Sequence, residues 1–226
     1  MMYRKLCLIL AVLLFLIGLP GVSGAADADI ADDEYAVYSA LLSPARTGAR
    51  PDRNAGKEEQ RLAEASRKKR PDLGALGGKV LVVSGETRSG EKLDKQRVDT
   101  VESPHMVGPA VKLGPELIDD YNSKNKVPHR LSDRFSADKK VILLPKAESA
   151  ETFNKGGWDE FYRRYPESAG LLAMSRVGFN ASRDRAFLYV GSSSGPRTGT
   201  GCFILLQKSK ASDKWYIVKH IPLWVS

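Results

Sequence analysis

Sulfur and imidazole are scarce in this chain: 226 residues hold two cysteines and three histidines. Cys7 falls inside the N-terminal leader described below, which leaves Cys202 alone. An intramolecular disulfide and a cysteine-based metal centre are excluded on that count. His105, His129 and His220 stand far apart, and none falls in H-E-x-x-H or another ligand spacing, so no metal and no cofactor are expected. No G-K-[ST] occurs, which excludes a P-loop. Gly199-x-Gly201 lacks the third glycine of a dinucleotide fingerprint, because Ile204 stands in its place.

Long apolar runs are equally scarce. The single one, LILAVLLFLIGLPG, follows a short basic head (Arg4, Lys5) and precedes the small residues of VSGAADAD. That is the three-part layout of a secretory signal. The run is shorter than the roughly 20 residues a spanning helix needs, and Pro20 ends it. Residues 1–25 are therefore expected to be a cleaved signal peptide and the mature protein to be soluble, exported to the periplasm or the medium.

What the chain has in excess is positive charge, +8 overall, and about +6 once Arg4 and Lys5 leave with the leader. Export argues against nucleic acid as the partner of a basic protein. The densest basic group is Arg67, Lys68, Lys69 and Arg70, for which an anionic envelope surface is the expected partner.

Periodicity divides the remainder into three parts. Residues 26–42 include ADDEYAVYSALL, a helix with Tyr35, Tyr38 and Leu41 or Leu42 on its buried stripe and acidic residues at its start. Residues 43–78 are charged, rich in Gly and Pro and poor in large apolar side chains. They are expected to form a flexible insertion with at most an exposed helix over 57–69 that stays off the core. Residues 79–226 read as the globular core. It opens with strands at 79–83 and 140–144, a helix over 114–125 and short helical turns at AESAETF and WDEFYRRY. From residue 172 the period changes to two, and four strand-like runs follow near 172–180, 185–191, 201–208 and 214–225. Short links between them imply antiparallel pairing. The fold class is α+β, with N-terminal helices packed on a C-terminal antiparallel β-meander of about four to six strands.

One motif raises the question of catalysis. Gly191-Ser192-Ser193-Ser194-Gly195 satisfies G-x-S-x-G, and Asp213 and His220 follow in the chain order of a hydrolase triad. A nucleophile elbow requires a helix directly after the serine. Here Pro196 and further glycines lead into CFILLQ, a strand. GSSSGPRTGTG is read instead as a mobile hairpin connection of about eleven residues, longer than most.

The blocks SRVGFN, AFLYVG, CFILLQK, KWYIVK and LWVS, with EYAVYSALL, ELIDDYNSKN and GW-x-x-FYRRYP upstream, resemble a group of uncharacterised bacterial exported proteins. The resemblance implies export and one compact fold, and it carries no catalytic residue. Within its pattern Asn180 suits a turn, Gly178 a bulge or close approach and Trp224 a core position. Arg176 and Tyr189, with Arg197 of the hairpin, are the candidate binding residues. The function expected is a non-enzymatic binding or interaction module of the bacterial envelope. The alternative is a hydrolase acting on an envelope polymer or ester.

Overall fold

The computed structural model describes residues 29–43, 56–103 and 112–226. The expected signal peptide, residues 44–55 of the expected insertion and His105 lie outside the described residues. Among those described, no helix is long and apolar enough to cross a membrane.

Five α-helices and seven strands are described, and the architecture is α+β as expected. The helices are α1 (Asp32–Leu42), α2 (Lys57–Lys69), α3 (Lys95–Glu102), α4 (Pro115–Lys124) and α5 (Lys146–Arg164). The strands are β1 (Val80–Ser84), β2 (Lys140–Leu144), β3 (Ser168–Met174), β4 (Gly178–Phe179), β5 (Arg185–Gly195), β6 (Thr198–Lys208) and β7 (Trp215–Val225). They form one sheet in the order β2-β1-β3-β5-β6-β7, with the short β4 paired to β5. β3, β5, β6 and β7 run antiparallel, as their short links require. β1 and β2 are joined to this meander in parallel, β1 lying between β2 and β3. Each is reached through a long connection containing helices, which is what parallel pairing demands.

Alternation along the strands sorts the core onto two faces. Ala186, Leu188 and Val190 of β5 and Cys202, Ile204 and Leu206 of β6 meet Tyr35, Tyr38, Leu41 and Leu42 of α1. A 3₁₀ turn at Gly74–Gly77 adds Ala75 and Leu76 to the same layer. The intervening residues Phe187, Tyr189, Phe203 and Leu205 point the other way, against Val101 of α3 and Leu117 and Tyr121 of α4. On that second face α5 covers β1–β3 through Phe161, which meets Val82 and Leu144. α5 is two arms joined at Gly157 (φ 61°), in agreement with the two short helical segments expected there. Its arms fold back so that Arg164 pairs with Glu151 at 2.6 Å and Tyr165 donates to Glu148. α3 was not expected. Its start is fixed by Asp94, whose carboxylate accepts from the Arg97 N–H, and only Val101 is buried, too little for an apolar period to register.

The expected insertion differs in its second half. α2 forms at the expected residues, but Leu62 and Ala63 are buried against Tyr216 of β7. Buried Glu59 accepts hydrogen bonds from Tyr216 Oη (2.8 Å) and Ser212 Oγ (2.7 Å), and Ser66 Oγ accepts from the Ile217 N–H. Leu73, Ala75 and Leu76 then enter the main core. Apolar content alone misses this docking because hydrogen bonds to the β7 edge supply part of it, and unpaired strand edges need covering. Leu62→Ala is expected to lower stability by about 2–5 kcal/mol in urea unfolding. A change within 0.5 kcal/mol would mean that α2 does not hold to the sheet.

Candidate functional site

The candidate binding residues are best judged by what already holds them. Arg176 follows β3 in the SRVGF block and is buried, with Glu34 of α1 completely buried against it. The Arg176 guanidinium donates to both Glu34 oxygens, through Nε at 2.9 Å and Nη2 at 2.6 Å. Glu34 also accepts from the Val177 N–H at 2.9 Å. The Arg176 backbone is clamped from the second face of the sheet. Its N–H donates to Asn125 Oδ1 (2.7 Å), and its carbonyl accepts from Asn125 Nδ2 (3.1 Å). Tyr38 Oη donates to the Ser175 carbonyl, while Ser175 Oγ accepts from the Tyr189 N–H. Lys124 and Asp120 bond Val177 and Phe179, and Gly178 lets α4 approach until a Cβ there would lie 2.5 Å from that of Tyr121. The blocks EYAVYSALL, LIDDYNSKN and SRVGF thus meet in one buried polar hub. The expectation of a binding face at Arg176 is corrected: its charge is spent inside the fold.

Tyr189 is likewise buried, on the second face among Phe203 and Ile221. Its hydroxyl accepts from the Trp224 indole N–H at 3.0 Å. Trp224, expected in the core, is 36 % exposed and lies across Gly201. A Cβ on Gly201 would fall inside the indole and 2.6 Å from Tyr189 Oη. This contact accounts for the second glycine of the Gly199-x-Gly201 pair. Arg197 is exposed at the tip of the β5–β6 hairpin. Tyr189 lies six residues before Gly195, about 20 Å along the strand, so the candidate residues do not converge.

GSSSGPRTGTG is not an eleven-residue loop. The ladder continues through Gly191↔Gly201, Ser192↔Thr200 and Ser193↔Gly199 to Gly195↔Thr198, leaving Pro196 and Arg197 as the turn. Small residues with little strand propensity are held there by both neighbouring strands and by two tertiary bonds. Ser192 Oγ accepts from the Ala75 N–H, and the Ser194 carbonyl accepts from Tyr162 Oη. Ser193 pairs with Leu171 on the face of Val82 and Tyr189. Asp213 sits at the β6–β7 turn, paired with Lys208 at 3.2 Å. Ser193, Asp213 and His220 are thus not a triad.

A different group does share a cavity. On the α1 face the apolar alternation of β5 and β6 ends at Val190 and Cys202 and gives way to Ser192 and Thr200. With Ser194 and Thr198 they line a cleft of about 390 Å³, closed by Pro71, Asp72 and Gly74 and by His220 and Pro222 of β7. That volume lies within the range of small-molecule sites, about 300–1,000 Å³. His220 Nδ1 stands 2.6 Å from the Lys69 carbonyl, which can only accept. The proton is therefore on Nδ1, and in the neutral ring Nε2 is an acceptor. Among the described residues no serine hydroxyl bonds to His220. Burial pushes the Cys202 thiol up to about 12, so it stays protonated and unreactive. The signal for this cleft was present in the strand alternation, but four glycines in eleven residues read as a loop.

A second concavity of about 440 Å³ lies at the carboxyl ends of β1 and β2, lined by Glu86, Arg88, Lys146 and Ser149 among others. Its charges face one another, Lys146 lying 3.9 Å from Glu86 and Arg88 lying 3.5 Å from Glu91. Among the described residues no three His, Cys, Asp or Glu side chains gather to hold a metal ion. In the basic group, Arg70 donates to the Leu41 carbonyl and burial lowers its pKa, while Lys68 pairs with Glu64.

No protein-family model matches the chain, nor does any curated protein or solved structure.

Gly201→Ala is expected to cost about 1–3 kcal/mol by overpacking and to move the Trp224 indole N–H resonance as its bond to Tyr189 breaks. An unchanged resonance and melting temperature would contradict the close approach.

Proposed function

We propose that this is an exported, non-enzymatic binding module of the bacterial envelope that takes its ligand in the hairpin cleft. One observation carries the reading: five hydroxyls, those of Ser192, Ser194, Thr198, Thr200 and Ser226, line one cavity at the point where the core stops. Loops and strand ends on a rigid sheet are where ligands are commonly held. The leader layout of residues 1–25 and the resemblance to exported proteins support the envelope location. Arg67, Lys68 and Lys69 at the end of α2 add electrostatic attachment to anionic surfaces, which weakens with salt.

The hydrolase reading is favoured by one observation of its own. The bond from His220 Nδ1 to Lys69 leaves Nε2 as a proton acceptor in the cavity that holds Ser192 and Ser194. The two readings separate when purified mature protein is incubated with isolated envelope polymer. A binding module cosediments with the polymer and releases no soluble fragments. Release of fragments that His220→Ala abolishes, with the fold intact, would establish the hydrolase instead.

A further inference from the structure

The cleft differs in charge from the protein that carries it. The chain has 35 lysines and arginines, yet none of those among the described residues lines this cavity. Its polar side chains are the hydroxyls of Ser192, Ser194, Thr198, Thr200 and Ser226, the His220 imidazole, the Cys202 thiol and the Asp72 carboxylate. A phosphate, sulfate or carboxylate ligand would find no cation here among the described residues and would face Asp72, a repulsive pairing. A ligand lacking polar groups would leave the hydroxyls unsatisfied.

Hydroxyls both donate and accept, so a row of them matches a ligand whose own groups do both. Ser192 Oγ already accepts from the Ala75 N–H and retains its proton to donate. Thr200 Oγ1 donates to the Trp224 carbonyl at 3.3 Å and retains acceptor capacity. His220 Nε2 and Asp72 are acceptors for ligand hydroxyl or amide protons. Pro71, Pro222 and Val225 add apolar surface at the rim, suited to the C–H face of a ring. An extended peptide is disfavoured. It would add to the edge of β7, where Pro222 has no N–H to give, and it would need apolar pockets for alternate side chains.

We infer that the hairpin cleft recognises a neutral saccharide bearing hydroxyl and amide groups. This inference rests on the cleft being the ligand site proposed above, and it names the ligand class.

The test is a titration of uniformly ¹⁵N-labelled protein, full chain less its leader, with two probes. One is the neutral disaccharide of N-acetylglucosamine and the other is its 6-O-sulfated counterpart. The neutral probe is expected to shift the amides of residues 191–201 and His220, leaving those of the Glu86–Lys146 concavity unchanged. The sulfated probe should bind at least tenfold more weakly. The double variant Ser194→Ala/Thr198→Val keeps the Ser192–Ala75 bond and should weaken the neutral probe by about tenfold, the loss of two hydrogen bonds. Its unchanged spectrum elsewhere shows that it folds. Tighter binding of the sulfated probe in this cleft would overturn the saccharide class while leaving a ligand site in place. Absence of shifts in the cleft with both probes would overturn the inference. New reducing-end signals from the same tube would show cleavage, overturning the non-enzymatic reading while the ligand class stands.

Discussion

The buried ion pair between Glu34 and Arg176 is the constraint on which the rest of the structure depends. Taking two charges out of water costs several kcal/mol per ion, and the attraction offsets this only when geometry is good and the remaining polar atoms are bonded. Both conditions hold. Glu34 is met by the guanidinium and by the Val177 N–H, and the Arg176 backbone is bonded on both sides by Asn125. Because Glu34 belongs to α1 and Asn125 follows α4, one three-residue stretch between β3 and β4 fixes a helix on each face of the sheet. Ser175–Val177 leave the β3 ladder for that reason, which splits one expected strand into two. The Ser175 N–H keeps a backbone partner, the Tyr189 carbonyl, while those of Arg176 and Val177 take side-chain partners, so no backbone donor in the stretch is left bare.

From this hub the long strands run outward, and their chemistry changes with distance. Near it, β5 and β6 are apolar on both faces and buried between helices. Beyond Val190 and Cys202 no described helix contributes to the lining of the cleft on the α1 face. The 71–74 segment crosses it instead, leaving a cleft walled by hydroxyls. The opposite face is sealed at the same level by Trp224 lying on Gly201 and bonded to Tyr189. At this level one face of the sheet is filled by aromatic side chains and the other holds a polar cavity.

Much of this arrangement was legible in the residues. The α+β class, the antiparallel meander, α1 and α4 follow from periodicity, α2 from its helix-forming residues, and β1 and β2 from short apolar runs bounded by glycine or proline. The parallel attachment of β1 and β2 was not legible, since short apolar runs carry no pairing direction. Docking of α2 was missed because Glu59 and Ser66 contribute buried hydrogen bonds that a count of apolar residues ignores. The role of Arg176 was misread for a related reason: an arginine in a motif looks like a binding group until its partner, 142 residues away in sequence, is in view. The cleft was hidden because glycine, serine and threonine describe a loop and a hydroxylated strand equally well. Only the ladder from Gly191 to Gly201 distinguishes the two.

The claim that the polar members of SRVGF build the fold is tested most directly by a double-mutant cycle on Glu34→Gln and Arg176→Met, read by urea unfolding. Each single variant should lose about 3–5 kcal/mol, because it leaves one buried charge uncompensated. The double variant should lose less than the sum, with a coupling of at least about 2 kcal/mol. Single variants that each stay within 0.5 kcal/mol of the parent and add without coupling would contradict the account and return Arg176 to the surface chemistry of a binding site.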